Sequence, residues 1–217
     1  MKMGEAFRRA TEKAPAFAVK SSMSEDFRHH IRGDVFISMH DGKTGELQEY
    51  RELLNLVVLD ASILIARLMK NNVEPPRGVY CLAIGTGAPG WNPAFLLNPP
   101  APVNTQRSLW SEIARKTFAN TQFINSGGLP VAIPTNVVDY TTTFAEAEAV
   151  GPLMEMGLLC PLSTNMSVRN LIPNGAIGPY DPTVDTTTYD VFVNVLNFGV
   201  IVKPATSTLT IVWRITT

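Results

Sequence analysis

Three groups of residues have types and spacing that could carry chemistry. The first is GTGAPG, residues 85–90, which follows an apolar run and formally matches the glycine pattern of a dinucleotide-binding turn. That chemistry needs a helix opening directly behind the glycines, so that its free amides face a pyrophosphate. Here Pro89 lies inside the motif, Trp91, Asn92 and Pro93 follow it, and no strand ending in an acid comes about 20 residues later. The glycines therefore read as a turn. The second group is His29, His30 and His40, with Glu25 and Asp26 beside the first pair and Asp41 beside the third. Adjacent residues diverge in helix or strand, and no Cys-x-x-Cys or His-x-x-x-His spacing supports a metal. The third group is Glu146, Glu148 and Glu155. In an extended segment Glu146 and Glu148 share a face. A hydrolytic carboxylate pair also needs one acid in an apolar setting at a defined separation. The reading favoured for these acids is a solvated edge or a salt bridge across a subunit boundary. There is no GxSxG, HExxH or phosphate-cradling loop, and Asn165-Met166-Ser167 is a sequon without a secretory context. No catalytic residue, cofactor or metal ligand is assigned.

The elements that must position these residues are mostly strands. From Gly33, Val35, Ile37 and Met39 alternate with polar residues, and Asp-Gly and Thr-Gly pairs separate them from LQEYRE, which predicts a hairpin. A helix is predicted near 56–70, with Leu56, Leu59, Ile63, Leu64 and Leu68 on one face. A second is predicted near 106–118, where Glu112 and Lys116 have the spacing of a helical ion pair. RGVYCLAIG between them suits a buried strand, and the following loop, rich in Pro and Gly, cannot continue helix or sheet. From about residue 130 the chain reads as strands and turns: VAIP, VVDYTTTFAEAEA, PLMEMGLLC, YDVFVNVLNFGVIV and TLTIVWRIT. In the last, Leu209, Ile211, Trp213 and Ile215 fall on one face, opposite Thr210, Val212, Arg214 and Thr216. The expected fold is mainly β: a β-sandwich or jelly-roll-like domain over 33–217, with two short helices and an extended N-terminal arm over 1–32.

The chain has 217 residues, enough to bury a core without staples. Its 18 basic and 19 acidic residues give a net charge of -1, which offers no bulk attraction for nucleic acid or anionic lipid. Only 17% of residues are charged against 45% hydrophobic, so part of the apolar surface is expected to be covered by neighbouring subunits. Cys81 and Cys160 each sit in an apolar run and read as buried thiols, with a disulfide open as an alternative. The opening segment is charged throughout instead of having the apolar core of a signal peptide, and no stretch approaches the ~20 apolar residues of a membrane span. Synthesis and assembly in a host cytoplasm are expected. The arm holds Lys2, Arg8, Arg9, Lys13, Lys20, Arg28 and Arg32 against Glu5, Glu12, Glu25 and Asp26, too diluted a patch to read nucleic acid. It reads either as a segment that orders against a partner or as a frayed terminus.

The order of the segments resembles the small β-rich virion proteins of tailed bacteriophages, found in tails, necks, collars and fibres. The hairpin GDVFISMHDGKTGELQEY leads into NLVVLDASILIARLMKNN, and a core strand closes on the turn from Ala83 to Gly87. A strand with Glu155 to Leu158 then precedes a terminal pair containing Lys203 to Trp213. The likeness spans about residues 33–217 and lies in the order of the motifs. It implies a structural role in a particle, with other copies of the chain and other virion proteins as partners. The proline-rich loop over 88–103 and the arm are the first contacts to consider, with Phe7, Arg8, Arg9, Phe17, Phe27, Trp91 and Phe95 as interface candidates. A capsid decoration or glycan-binding module is the alternative, to be marked by exposed aromatics around Trp91 and Phe95. A cell-wall hydrolase would need a buried, perturbed acid or a metal.

Overall fold

The computed structural model describes residues 31–61, 64–65, 78–91, 99–171 and 189–217. Two antiparallel sheets pack face to face as a β-sandwich. In chain order the strands are β1 (Arg32–Asp41), β2 (Leu47–Leu54), β3 (Leu56–Val57), β4 (Cys81–Gly85), β5 (Glu112–Thr117), β6 (Asn120–Ile124), β7 (Pro130–Val131), β8 (Val137–Phe144), β9 (Gly151–Cys160), β10 (Val191–Lys203) and β11 (Ser207–Thr216). One sheet has the order β2-β1-β11-β8-β6-β7 and the other β3-β10-β9-β4-β5.

The six-stranded sheet follows its sequence pattern closely. Val35, Ile37 and Met39 of β1 stand opposite Trp213, Ile211 and Leu209 of β11, and all are buried against the other sheet. Their alternate neighbours form the outer face. There Arg214 forks onto Asp139 at 2.7 and 2.8 Å and lies over the Phe36 ring, and the Thr143 and Thr210 hydroxyls meet at 3.1 Å. At the β1–β2 hairpin, Asp41 Oδ1 accepts the backbone N–H groups of Lys43 and Thr44, and Gly45 takes the positive φ of 71° that closes the turn.

The five-stranded sheet is buried on both faces, so its central strands read as continuous apolar runs without alternation. Leu82, Ile84, Leu153, Met156, Leu158 and Cys160 face the main core between the sheets. Cys81, Ala83, Leu159, Phe192 and Val195 face the other way, into a second core with Val58 and Leu109. The two cysteines therefore lie on opposite faces of one sheet.

Two irregularities in the β10–β9 ladder fall between Phe192 and Asn194 and between Asn197 and Ile201. The second turns carbonyls out of the ladder, and Arg51 of β2 meets them: its guanidinium donates to Gly199 O and, at 2.8 Å, to Val200 O. The same side chain donates to Glu49 at 2.7 Å. Arg51 thus stitches an edge of one sheet to a bulge of the other.

Two helical expectations change. The segment predicted as helix near 56–70 begins as strand β3, because Leu56 and Val57 pair with Val195 and Asn194. Helical backbone is found at residues 59–61 and 64–65, and residues 66–77 lie outside the described set. The helix predicted near 106–118 does not form: Glu112–Thr117 is strand β5. The open side of β4 needs backbone partners, and β5 supplies them from Cys81↔Thr117 to Ile84↔Ala114. Pairing of a buried strand outweighs a helix preference of a few tenths of a kcal/mol per residue. Of the expected arm, residues 1–30 also lie outside the described set. No helix among the described residues is long and apolar enough to cross a membrane.

Burial pushes the Cys81 thiol up to about 12. An aromatic disulfide reagent at pH 8 is expected to leave both cysteines unmodified in the native protein and to titrate two thiols after denaturation. Rapid labelling of the native chain would contradict the burial of Cys81 and Cys160.

Candidate functional site

The outer face of the five-stranded sheet is where polar side chains concentrate. Strand β4 ends at Gly85, opposite Glu155 of β9. The Glu155 side chain is fully buried and folds across the space that Gly85 leaves open. A Cβ at residue 85 would stand 2.5 Å from Glu155 Oε1 and would also collide with the Ser111 carbonyl. Oε1 accepts the backbone N–H groups of Gly87 at 3.1 Å and Ser111 at 2.7 Å, and Oε2 accepts that of Trp110 at 2.8 Å. One carboxylate therefore holds the turn that leaves β4 and the chain that enters β5.

Aromatic packing closes the turn. Gly87 has a φ of 77°, and the Trp91 ring lies directly on its Cα face, where any Cβ would overlap it. Pro89–Trp91 is a single 3-10 turn in place of the helix a dinucleotide site requires. The Trp110 ring sits 6.3 Å from that of Trp91, tilted by 58°. Further along the loop, Arg107 pairs with Asp60 at 2.9 Å and Asn197 donates to Pro100 O at 2.8 Å. Leu109 fills the second core beneath.

A second polar group holds the loop after β9. The Arg115 side chain is fully buried and pairs with Glu112 at 2.6 Å and with Asp190 at 2.6 Å. Asp190 also accepts the N–H groups of Leu162 and Asn170, while Arg169 donates back to the carbonyls of Glu112 and Ile113. Burial opposes the Arg115 charge, and the Glu112 and Asp190 carboxylates more than offset it, so its pKa is raised. Lys203, 1% exposed, similarly donates to the Ala145 and Glu146 carbonyls and holds the turn between β8 and β9.

The predicted residues are thus spread apart. Glu146 and Glu148 lie in that turn, and Glu148 pairs within the chain with Lys116 at 2.5 Å. Glu155, expected at a solvated edge or a subunit salt bridge, is the most enclosed acid of the set, because three amides draw it inward. His40 stands on β1, its Nδ1 3.2 Å from Gly45 O. Trp91, an interface candidate, is 6% exposed and buried within its own chain. Phe7, Arg8, Arg9, Phe17, Phe27, His29, His30 and Phe95 lie outside the described residues. Sequence reasoning missed Arg115 and Asp190. The one available signal was Asp190 at the start of a predicted apolar strand, where a buried charge demands a partner; Arg115 lay in the segment predicted as helix.

The Glu155 carboxyl is raised above the usual glutamate range, first by burial and then by Glu112 nearby, against the pull of its three amide donors. Its oxygens accept from three backbone amides, which makes it an anchor for two loop ends. Among the described residues, no cluster of His, Cys, Asp and Glu is arranged to hold a metal ion. No protein-family model, curated protein or solved structure matches this chain.

Replacing Glu155 by Gln keeps the shape but turns an amide N–H₂ toward an N–H donor. The expected loss is about 1–3 kcal/mol in urea unfolding. Glu155→Ala, which strands all three amides, should cost more. Because the folded pKa is raised, the carboxyl's contribution is full below the ordinary glutamate range and declines as pH rises through its own value. The stability gap between wild type and Glu155→Gln should therefore narrow with rising pH. A gap that widens would mean the amides hold the carboxyl below its usual range.

Proposed function

We propose that this chain is a structural component of a tailed-phage virion, in the neck, collar, tail or fibre attachment, and that it works through subunit–subunit assembly. The observation that carries the proposal is where its interactions go. The buried charges of Glu155, Arg115, Asp190 and Lys203 are spent on fastening loops to a sheet, while apolar side chains stand exposed on a sheet edge. Leu47 is 53% and Leu54 66% exposed on edge strand β2, with Tyr50 between them. Rigid loops and an apolar edge suit a subunit whose task is to be covered by neighbours. The order of motifs from the first hairpin to the terminal strand pair supports the same reading. Trp91, on which a glycan-binding platform would rest, commits its ring to Gly87.

Light scattering on the purified full chain, at low and high concentration, tests this. A fixed multiple of the 23.7 kDa subunit is the expected result. A strict monomer at every concentration would overturn autonomous assembly and bring the decoration or binding-module reading forward.

A further inference from the structure

The sandwich has four edge strands among its described residues, and three of them are short or in part occupied. Strands β3 and β7 have two residues each, and Pro130 of β7 has no N–H to offer. Along β5, the Arg169 guanidinium occupies the carbonyls of Glu112 and Ile113 at 3.0 and 3.2 Å. Strand β2, of 8 residues, is the longest of the four. On one side it pairs with β1, and on the other no strand of the described residues meets it. It carries the exposed Leu47, Tyr50 and Leu54.

We infer that β2 is the contact between two copies of this chain, paired antiparallel across a twofold axis that passes through Tyr50. This rests on the assembly reading above and adds its geometry. In a twofold pair, residues directly opposite each other must point to the same face. The axis must then pass through a residue, and charge selects which one. An axis on Glu49, Arg51 or Glu52 sets that residue against its own copy, like charge on like, within about 5.5 Å. An axis on Tyr50 sets Glu49 of each copy against Arg51 of the other, two opposite-charge pairs at once. It also sets Gln48 against Glu52 and apposes the exposed tyrosines. Arg51 is held in place by Gly199 O, Val200 O and the Glu49 of its own chain, so across the axis the two Glu49–Arg51 pairs meet as one cluster of alternating charge. The register irregularity at Met39/His40, opposite Gln48, ends the regular ladder there and keeps the contact short. Glu49, Arg51 and Glu52 disfavour other registers, because a shifted strand brings like charges together across the edge.

Cysteine cross-linking on the full chain tests the register. Residues at the axis have Cα atoms about 4.5–5.5 Å apart, within disulfide reach, whereas residue 52 lies about 13 Å from its own copy. Under mild oxidation, Tyr50→Cys is expected to form a covalent dimer and Glu52→Cys is not. Cys81 and Cys160 are buried and contribute no background. Glu49→Lys should weaken dimer formation about tenfold, since both cross-axis pairs become repulsive. A multimer in light scattering whose Tyr50→Cys variant does not cross-link, or one of odd copy number only, overturns the β2 contact and keeps assembly. Equal cross-linking of the two variants overturns the register. A monomer that cross-links at neither position removes both proposals.

Discussion

A carboxylate without access to water survives in a fold only where donors are fixed to meet it, and Glu155 is met by the backbone itself. Its presence obliges much of the surrounding structure. The facing residue must be glycine, because the carboxylate crosses the space over Gly85. The next turn must direct the Gly87 N–H inward, and the left-handed conformation at Gly87 does so. The chain must return to the same place at Trp110 and Ser111, which fixes both ends of a long loop to one side chain. Leu109, one residue before the clamp, is thereby delivered into the second core. Loop, turn and core on this face are consequences of a single acid.

Arg115 imposes the same kind of constraint one strand away. A buried guanidinium needs its donors satisfied by acceptors that are themselves held, and Asp190 is held by the amides of Leu162 and Asn170. Among the described residues, the two anchors fasten irregular chain onto the outer face of the five-stranded sheet. Buried polar groups give that chain the definition that regular hydrogen bonding would otherwise supply.

What could be read from the amino-acid sequence follows from these constraints. Strands β1 and β11 were legible because one face of each is dry and the other wet, and alternation records that difference. Strands β4 and β9 were recognisable as buried runs, yet nothing in CLAIG or PLMEMGLLC marks which residues face which core. Glu155 was visible as an acid in an apolar stretch. Its role was not, since its partners are backbone amides of residues far away in the chain. Residues 106–118 read as a helix because Glu112 and Lys116 have helical spacing. Their true partners are Arg115 and Glu148, and the first depends on strand pairing while the second lies across a turn. Turn chemistry at Asp41 and Gly45 was local and therefore readable.

Arg51 gives the sandwich a mechanical property. A strand at the margin of a sheet is ordinarily the first to peel, because its hydrogen bonds to one neighbour open one after another. Here the guanidinium grips the bulge of β10, in the opposite layer. Tension on β2 is shared between the layers and loads the β10 bulge at the same time as the β1 ladder. Peeling this margin must therefore break contacts to the second layer together with the ladder to β1, which makes its opening more cooperative than simple unzipping.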